Sequence, residues 1–323
     1  MISAEMLYAW ANELGFSGAG FCHPHDFLLS KSIVDSQETL HERRQLRFSP
    51  QTDHQWVQSL VVLLWPYSPC DSGSEKALFI DSYYQASNAA YHAARELEKR
   101  LTQAGHCVRA NVPYPAKEAA LRAGLGVIGQ NSLLITPDHG SRVVIILMAT
   151  DIVLPGMQPE QNAGSCAACG KCIKACPTGA IDKDGLSHPE RCLRNFMMEG
   201  IVVPEHLRRS IGMRLIGCDI CQRVCPMQPC ALPCDERKPF SLCDFVTDDA
   251  DLFSASISRL AGEIGRNTAR PQRVRAQAAL LAGNSKDSAF LPVLQQWAQL
   301  PFDAVREHAQ WAIRQIELAN ADT

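Results

Sequence analysis

Four cysteines constrain this chain more than any other feature: Cys166-Ala-Ala-Cys169-Gly-Lys-Cys172-Ile-Lys-Ala-Cys176-Pro177. The spacing C-x2-C-x2-C-x3-C-P is that of a bacterial-type double-cluster ferredoxin run. Three thiolates on one tight loop reach three corners of a single [4Fe–4S] cubane. The fourth is carried away by the chain that follows and faces a second cubane. Pro177 turns the chain after that ligand, and Thr178-Gly179 permits a tight bend. The second cubane then needs three more ligands and the first needs one. Downstream, the chain supplies Cys192 and then Cys218-Asp-Ile-Cys221-Gln-Arg-Val-Cys225-Pro226. We assign Cys166, Cys169, Cys172 and Cys225 to the first cluster, and Cys176, Cys192, Cys218 and Cys221 to the second.

Two other uses of the same cysteines fit less well. Zinc ribbons employ C-x2-C pairs but do not call for a run of four closed by Cys-Pro. A disulfide scaffold belongs to exported chains, and the N-terminus, Met-Ile-Ser-Ala-Glu, lacks a basic stretch followed by an apolar core. A cytoplasmic address is expected. Of the 14 cysteines, six lie outside the assignment. Cys22, Cys70 and Cys107 read as small buried hydrophobes. Cys230, Cys234 and Cys243 read as free thiols near the clusters.

The composition of the 323 residues is globular, with 46% hydrophobic and 20% charged residues. A net charge of −3 argues against a strongly basic nucleic-acid binder, although a local basic face stays open. The apolar runs Leu60–Trp65 and Val143–Ala149 are far too short to span a bilayer.

The pattern predicts helices over Ala4–Leu14, Ala86–Ala104 and Ala116–Ala123. Strands are predicted over Gly18–Cys22, Ser59–Trp65 and Val143–Ala149. Pro155–Ser165 reads as a linker. Beyond about Phe245 the chain turns Ala-, Gln-, Arg- and Leu-rich. Val-Arg-x-x-Ala occurs at Val274–Ala278 and again at Val305–Ala309, with a helix over Asp287–Leu300 between them. That suggests helical repeats, each burying its apolar stripe on the next. The expected class is α+β, in three units. These are an α/β domain over 1–155, a ferredoxin-like double-cluster domain over 156–245 and HEAT-like helical repeats over 246–323.

The segment before the cysteines says more. Pro113-Tyr-Pro-Ala-Lys-Glu-Ala-Ala-Leu-Arg-Ala-Gly124-Leu-Gly126-Val-Ile-Gly129-Gln-Asn131, running on to Gly140-Ser141, closely resembles a stretch of the epoxyqueuosine reductase family. That family carries an A-G-L-G-x-x-G-K-N-like motif ahead of a double-cluster domain. Tyr91-His92, the strand Ser59–Tyr67, Gly217-Cys218-Asp219-x-Cys221 with Cys225-Pro226, and the C-terminal helices match as well, so the resemblance spans nearly the whole chain. It implies a cobalamin-dependent reductase. The cobalamin would lie between the N-terminal domain and one cluster, and would be reduced by single electrons from an external donor. The reduced cobalt would then remove the epoxide oxygen of epoxyqueuosine in a tRNA anticodon loop. It also implies cofactor contacts at Gly124, Gly126, Gly129, Gln130, Asn131 and Ser141. On their own, these glycines read as an ordinary turn between helix and strand.

Three departures stand out. The family's proposed catalytic aspartate aligns with Ala110, which offers no proton to a departing oxygen. The lysine expected after Gly129 is Gln130, and the Trp-Asn expected after the second Cys-Pro is Met227-Gln228. The cofactor machinery is retained while the substrate end is altered. A paralogous small-molecule reductase of reductive-dehalogenase type is therefore an alternative, as is a ferredoxin-like electron carrier. His92 is a candidate proton donor or a structural histidine. Arg266, Arg270, Arg273 and Arg275, with Arg208 and Arg209, form a candidate phosphate-tracking face for tRNA or a solvated helical face. A monomer is expected.

Four thiolates per cubane predict about eight iron atoms and eight acid-labile sulfides per chain after anaerobic reconstitution, counted by colorimetric assay. Iron near half that value, or stoichiometric zinc, would refute the assignment.

Overall fold

A computed structural model describes residues 2–35, 46–69, 77–154, 165–183, 187–228 and 238–321. The linker predicted over Pro155–Ser165, and Cys70, Cys230 and Cys234, fall largely or wholly outside these. In chain order the first half runs α1 (Ala4–Glu13), β1 (Gly18–Cys22), α2 (Leu28–Asp35), α3 (Pro50–Asp53), β2 (Ser59–Pro66), β3 (Phe79–Ile80), α4 (Ser82–Gln103), β4 (Val108–Ala110), α5 (Ala116–Arg122), β5 (Val127–Ile128), β6 (Leu134–Ile135) and β7 (Val143–Thr150). The second half runs α6 (Lys171–Ala175), α7 (Leu193–Glu199), α8 (Glu205–Arg208), β8 (Arg214–Ile216), α9 (Ile220–Arg223), α10 (Ala250–Ile264), α11 (Pro271–Ser285), α12 (Leu291–Trp297) and α13 (Asp303–Ala321). The mixed helix-and-sheet class expected from the sequence is observed.

The apolar runs become the two central strands of an antiparallel sheet ordered β1-β2-β7-β4. Alternate residues of a strand point to opposite faces, and here both faces are covered, which is why the runs show no polar alternation. Val61, Leu63, Val144, Ile146 and Met148 pack toward α1 and α4. Leu60, Val62, Leu64, Val143, Leu147 and Ala149 pack on the other face with Ala119 and Ala120 of α5. Helix α4 buries Ala86, Ala90, Ala94, Leu97 and Leu101, a stripe at helical spacing. It starts earlier than predicted because Asp81 caps it, accepting a hydrogen bond from the Tyr83 N–H at 3.0 Å.

One short pairing ties the first half to the cysteine region. β3 lies parallel to β8, and the Asp81 N–H donates to the Ile216 carbonyl at 2.9 Å. Leu78 and Tyr84 of the first half share one apolar cluster with Leu193, Phe196, Ile211, Leu215 and Ile216, and that cluster continues through α10–α13. Both Val-Arg-x-x-Ala copies are helical, in α11 and α13, with Val274, Ala278, Val305 and Ala309 buried against one another's cluster.

His308, 1% exposed on α13, joins these helices to the segment before α8. The Val203 N–H donates to its Nε2 at 2.9 Å, so Nδ1 carries the proton and faces the Ala276 carbonyl at 2.8 Å. Burial lowers its pKa from 6.5 to about 4. The unfolded chain therefore takes up a proton below the ordinary value while the folded chain does not. The stability contributed by the neutral ring is present above pH 6.5 and is lost as pH falls toward 4. That loss should total roughly 3 kcal/mol at about 1.4 kcal/mol per pH unit. Urea unfolding at several pH values should show this slope in the wild type and a flatter one in His308→Gln, which starts from a lower stability.

Candidate functional site

The cysteine loop begins at the N-terminal side of α6. Gly170, with φ 68°, opens that helix, and Cys172 on it is buried, whereas Cys169 is exposed and Cys166 half-buried. α9 carries Cys221 and delivers Cys225 just beyond its end. The structure brings Cys166, Cys169, Cys172 and Cys225 around one pocket. The Cys172 thiol lies within electrostatic reach of Cys225 and Cys166. The Cys221 thiol lies within reach of Cys218, Cys192, Cys172 and Cys176. Two neighbouring groups of thiols result, with Cys172 beside both.

Burial pushes the free thiol of Cys218 up to about 11 and that of Cys221 higher still. Iron binding must therefore displace protons from these thiols, and loading should be favoured at alkaline pH.

The Gly124–Ser141 segment docks directly on this loop. Gln130 and Asn131, together with Ile135, line the same pocket as the first cysteine group, with Ala167, Pro226 and Met227. The Gly170 N–H donates to Gln130 Oε1 at 3.2 Å, and Gln228 Nε2 donates to Ser141 Oγ at 2.7 Å. Gln130 thus fixes the seam by hydrogen bonding where a lysine would place a charge. Asn131 is buried and turns its Oδ1 to the Leu133 N–H at 3.2 Å, holding the β5–β6 turn. At Gly126 an added Cβ would lie 2.5 Å from the Ile135 carbonyl oxygen, and at Gly129 2.5 Å from Ile135 Cδ1. Gly126 requires glycine because its Cβ would meet backbone, whereas at Gly129 the end of the Ile135 side chain would have to move; Gly124 ends α5 with φ 70°.

A cofactor on this hairpin would lie against the first cysteine group, the position from which an electron can pass in one step. The buried Gln228 Oε1, which has no hydrogen-bond partner among the described residues, is an acceptor at the same seam. The two thiol groups fit two cubanes.

Other expected site residues are placed elsewhere. Ala110 is buried where β4 pairs with Met148 of β7, in the apolar cluster between the sheet and α4. An acid at this position would enter that core, so the alignment of a catalytic carboxylate with Ala110 does not put one at the pocket. Outward exposure falls to Asn111, the next residue, in the left-handed conformation at φ 57°. His92 stands exposed on α4, with its ring 5.5 Å from that of Tyr91, and does not line the pocket.

The four-arginine face is also corrected. Arg266 and Arg270 are exposed, but Arg273 donates to the Asn267 and Thr268 carbonyls at 3.1 and 3.2 Å. Arg275 lies 4.4 Å from the centroid of Phe253 and 5.5 Å from that of Trp297. Arg208 is buried, donating to the Val203 carbonyl at 2.8 Å and covering Trp311. Long cationic stems cover apolar surface here. Cys22 is buried as expected, its thiol pushed up to about 11 by burial; Cys107 and Cys243 are exposed, so Cys107 is not a core residue.

Sequence reasoning missed a buried polar group on the second cysteine set: Tyr67, Asp81, Tyr84, Asp219 and Gln222. The Tyr67 hydroxyl donates to Gln222 Oε1 at 2.9 Å. Only the capping aspartate before Ser82 gave a local signal.

The two thiol groups define a protein with two [4Fe–4S] sites: residues 165–228 match the 4Fe-4S double cluster binding domain. The chain as a whole is similar to epoxyqueuosine reductases. The enzyme of Aliivibrio fischeri is 27% identical over 345 residues, covering 98% of this chain and 92% of its own. The Bacillus subtilis enzyme, solved with its catalytic aspartate loop swung out of the active site, superposes with a TM-score of 0.80 at 24% identity, covering 97% and 90% of the two chains. An epoxyqueuosine reductase solved with an epoxyqueuosine-modified tRNA-Tyr stem loop superposes at 0.79 with 24% identity, covering 97% and 89%. Among the described residues no helix is long and apolar enough to cross a membrane.

Introducing a carboxylate at position 110 should destabilise the fold, by about 3 kcal/mol for an unpaired acid in an apolar core. Thermal unfolding of Ala110→Asp should show the loss. An unchanged melting temperature would mean that the segment swings outward in solution.

Proposed function

We propose that this chain reduces epoxyqueuosine in tRNA to queuosine, using two [4Fe–4S] clusters and a cobalamin. The observation that carries this reading is the single pocket shared by Cys166, Cys169, Cys172 and Cys225 with Gln130 and Asn131. Cys166, Cys169, Cys172 and Cys225 hold the first cluster in this reading, and Cys176, Cys192, Cys218 and Cys221 the second. When bound, a cobalamin supplies a cobalt centre that accepts single electrons and removes an epoxide oxygen. The protein's part is placement. Gln130 and Ser141 lock the hairpin to the cysteine loop, and the Gly124–Ser141 segment presents its edge to the cofactor.

Electrons enter from an external one-electron donor. Arg266 and Arg270 remain free to meet tRNA phosphates, a contact that positions without reading sequence. The working division is 1–155 for cofactor and substrate, 156–245 for the clusters and 246–323 as a helical-repeat cap, in a cytoplasmic monomer.

Because Ala110 offers no proton, the departing oxygen must be protonated by solvent or by another group. Turnover should then be slower than in relatives that carry the aspartate. The test is an anaerobic assay on tRNA carrying epoxyqueuosine, with cobalamin and a strong reductant, followed by nucleoside analysis. Queuosine formation that requires both cobalamin and intact clusters is expected. If the loaded protein binds cobalamin yet leaves epoxyqueuosine untouched, the substrate is a small molecule instead. If it binds no cobalamin, the chain is an electron carrier.

A further inference from the structure

The two cysteine groups sit in different electrical surroundings. Apart from its cysteines, the first pocket is lined by Gln130, Asn131, Ile135, Ala167, Pro226 and Met227, none of them charged. The second group is ringed by charge. Arg194 stands on the first turn of α7, just after Cys192, and within electrostatic reach of it. Its guanidinium lies 5.2 Å from the centroid of Tyr83 and 5.5 Å from that of Tyr84. Arg214 acts on Cys218, and Arg223 donates to Asp219 at 2.6 Å. Asp81 lies within electrostatic reach of Arg194, Arg223 and Asp219.

The placement is rigid. Gly217, beside Cys218, has φ +85°, and a Cβ on it would lie 2.4 Å from Asp81 Cβ and 2.7 Å from Tyr84 Cε2. The cysteine loop is therefore pressed onto the residues that hold Arg194. Reducing a thiolate-ligated cubane adds one electron and makes an anionic centre more negative. A fixed cation in a poorly solvated setting stabilises that reduced state.

We propose that Arg194, fixed on the rings of Tyr83 and Tyr84, holds up the reduction potential of the second cluster and leaves that of the first unaffected. The proposal rests on the ligand assignment above. Its effect is to make the second cluster a better acceptor for a low-potential one-electron donor; Arg194 itself is a positioning charge and touches no substrate.

The test is a dithionite titration of anaerobically loaded protein, followed by electron paramagnetic resonance. The second cluster's signal is identified by its loss in Cys192→Ser. Arg194→Gln should load the wild-type amount of iron and sulfide and lower the midpoint of the second cluster alone. Unchanged midpoints, or an equal shift in both clusters, would overturn the proposal. If Arg194→Gln fails to hold iron, Arg194→Met decides, because it keeps the apolar stem and removes the charge. A downward shift in the second cluster alone supports the proposal, and wild-type midpoints overturn it. Iron and sulfide content of the wild type tests the ligand assignment separately, so the two failures are distinguishable.

Discussion

Everything at the redox end depends on how Cys225 is returned to the loop that carries Cys166, Cys169 and Cys172. A cysteine far along the chain joins the pocket of the other three, so the intervening segment must be anchored. The anchor is the seam where β3 meets β8. The Asp81 N–H and carboxylate, the Tyr67–Gln222 hydrogen bond and the shared apolar cluster around Tyr84 and Ile216 hold α9 in place. Without that seam the loop of three cysteines would exist, but its fourth corner would not. The same seam binds the N-terminal sheet to the helices behind it. The Gly124–Ser141 hairpin and the cysteine loops are therefore parts of one packed body.

Much of this was legible in the sequence, for physical reasons that differ by element. The runs at Leu60 and Val143 announce themselves because strands buried on both faces carry no polar alternation. The cysteine spacing is legible because a cubane imposes fixed reach on a loop. β3 and β8 were not legible: strands this short have no period, and only the pairing across the chain creates them. α4 was read as starting at Ala86 because the capping role of Asp81 lies outside the apolar stripe. The arginines misled for a related reason. Charge on a helix reads as solvated, yet Arg273 ties down two carbonyls and Arg275 covers two aromatic rings.

The glycine-rich segment shows how a motif and its physics can diverge. A resemblance suggests glycines bared to a cofactor, and the chain shows Gly126 and Gly129 closed against Ile135. Both statements hold if the glycines shape the hairpin and the hairpin's tip does the contacting. Gln130 and Asn131 are at that tip, one hydrogen-bonded to the cysteine loop and the other to its own turn. Replacing lysine by Gln130 therefore exchanges a charge for a directional bond. The residues that line the first pocket besides its cysteines are uncharged as a result.

The lack of an outward-facing side chain at position 110 follows from strand geometry as much as from residue identity. Along β4, Ala110 turns to the α4 side and pairs with Met148, so its neighbours face away from that core. Arg109 points toward His54, 3.4 Å from Nε2, and Asn111 leaves the strand in a left-handed turn before Val112 rejoins the sheet through the Leu147 carbonyl. A side chain at 110 cannot reach outward without breaking that pairing. The chemistry available here is thus set by where the strand ends. Asn111, an amide that hydrogen-bonds but does not deliver a proton at neutral pH, is the group this turn presents.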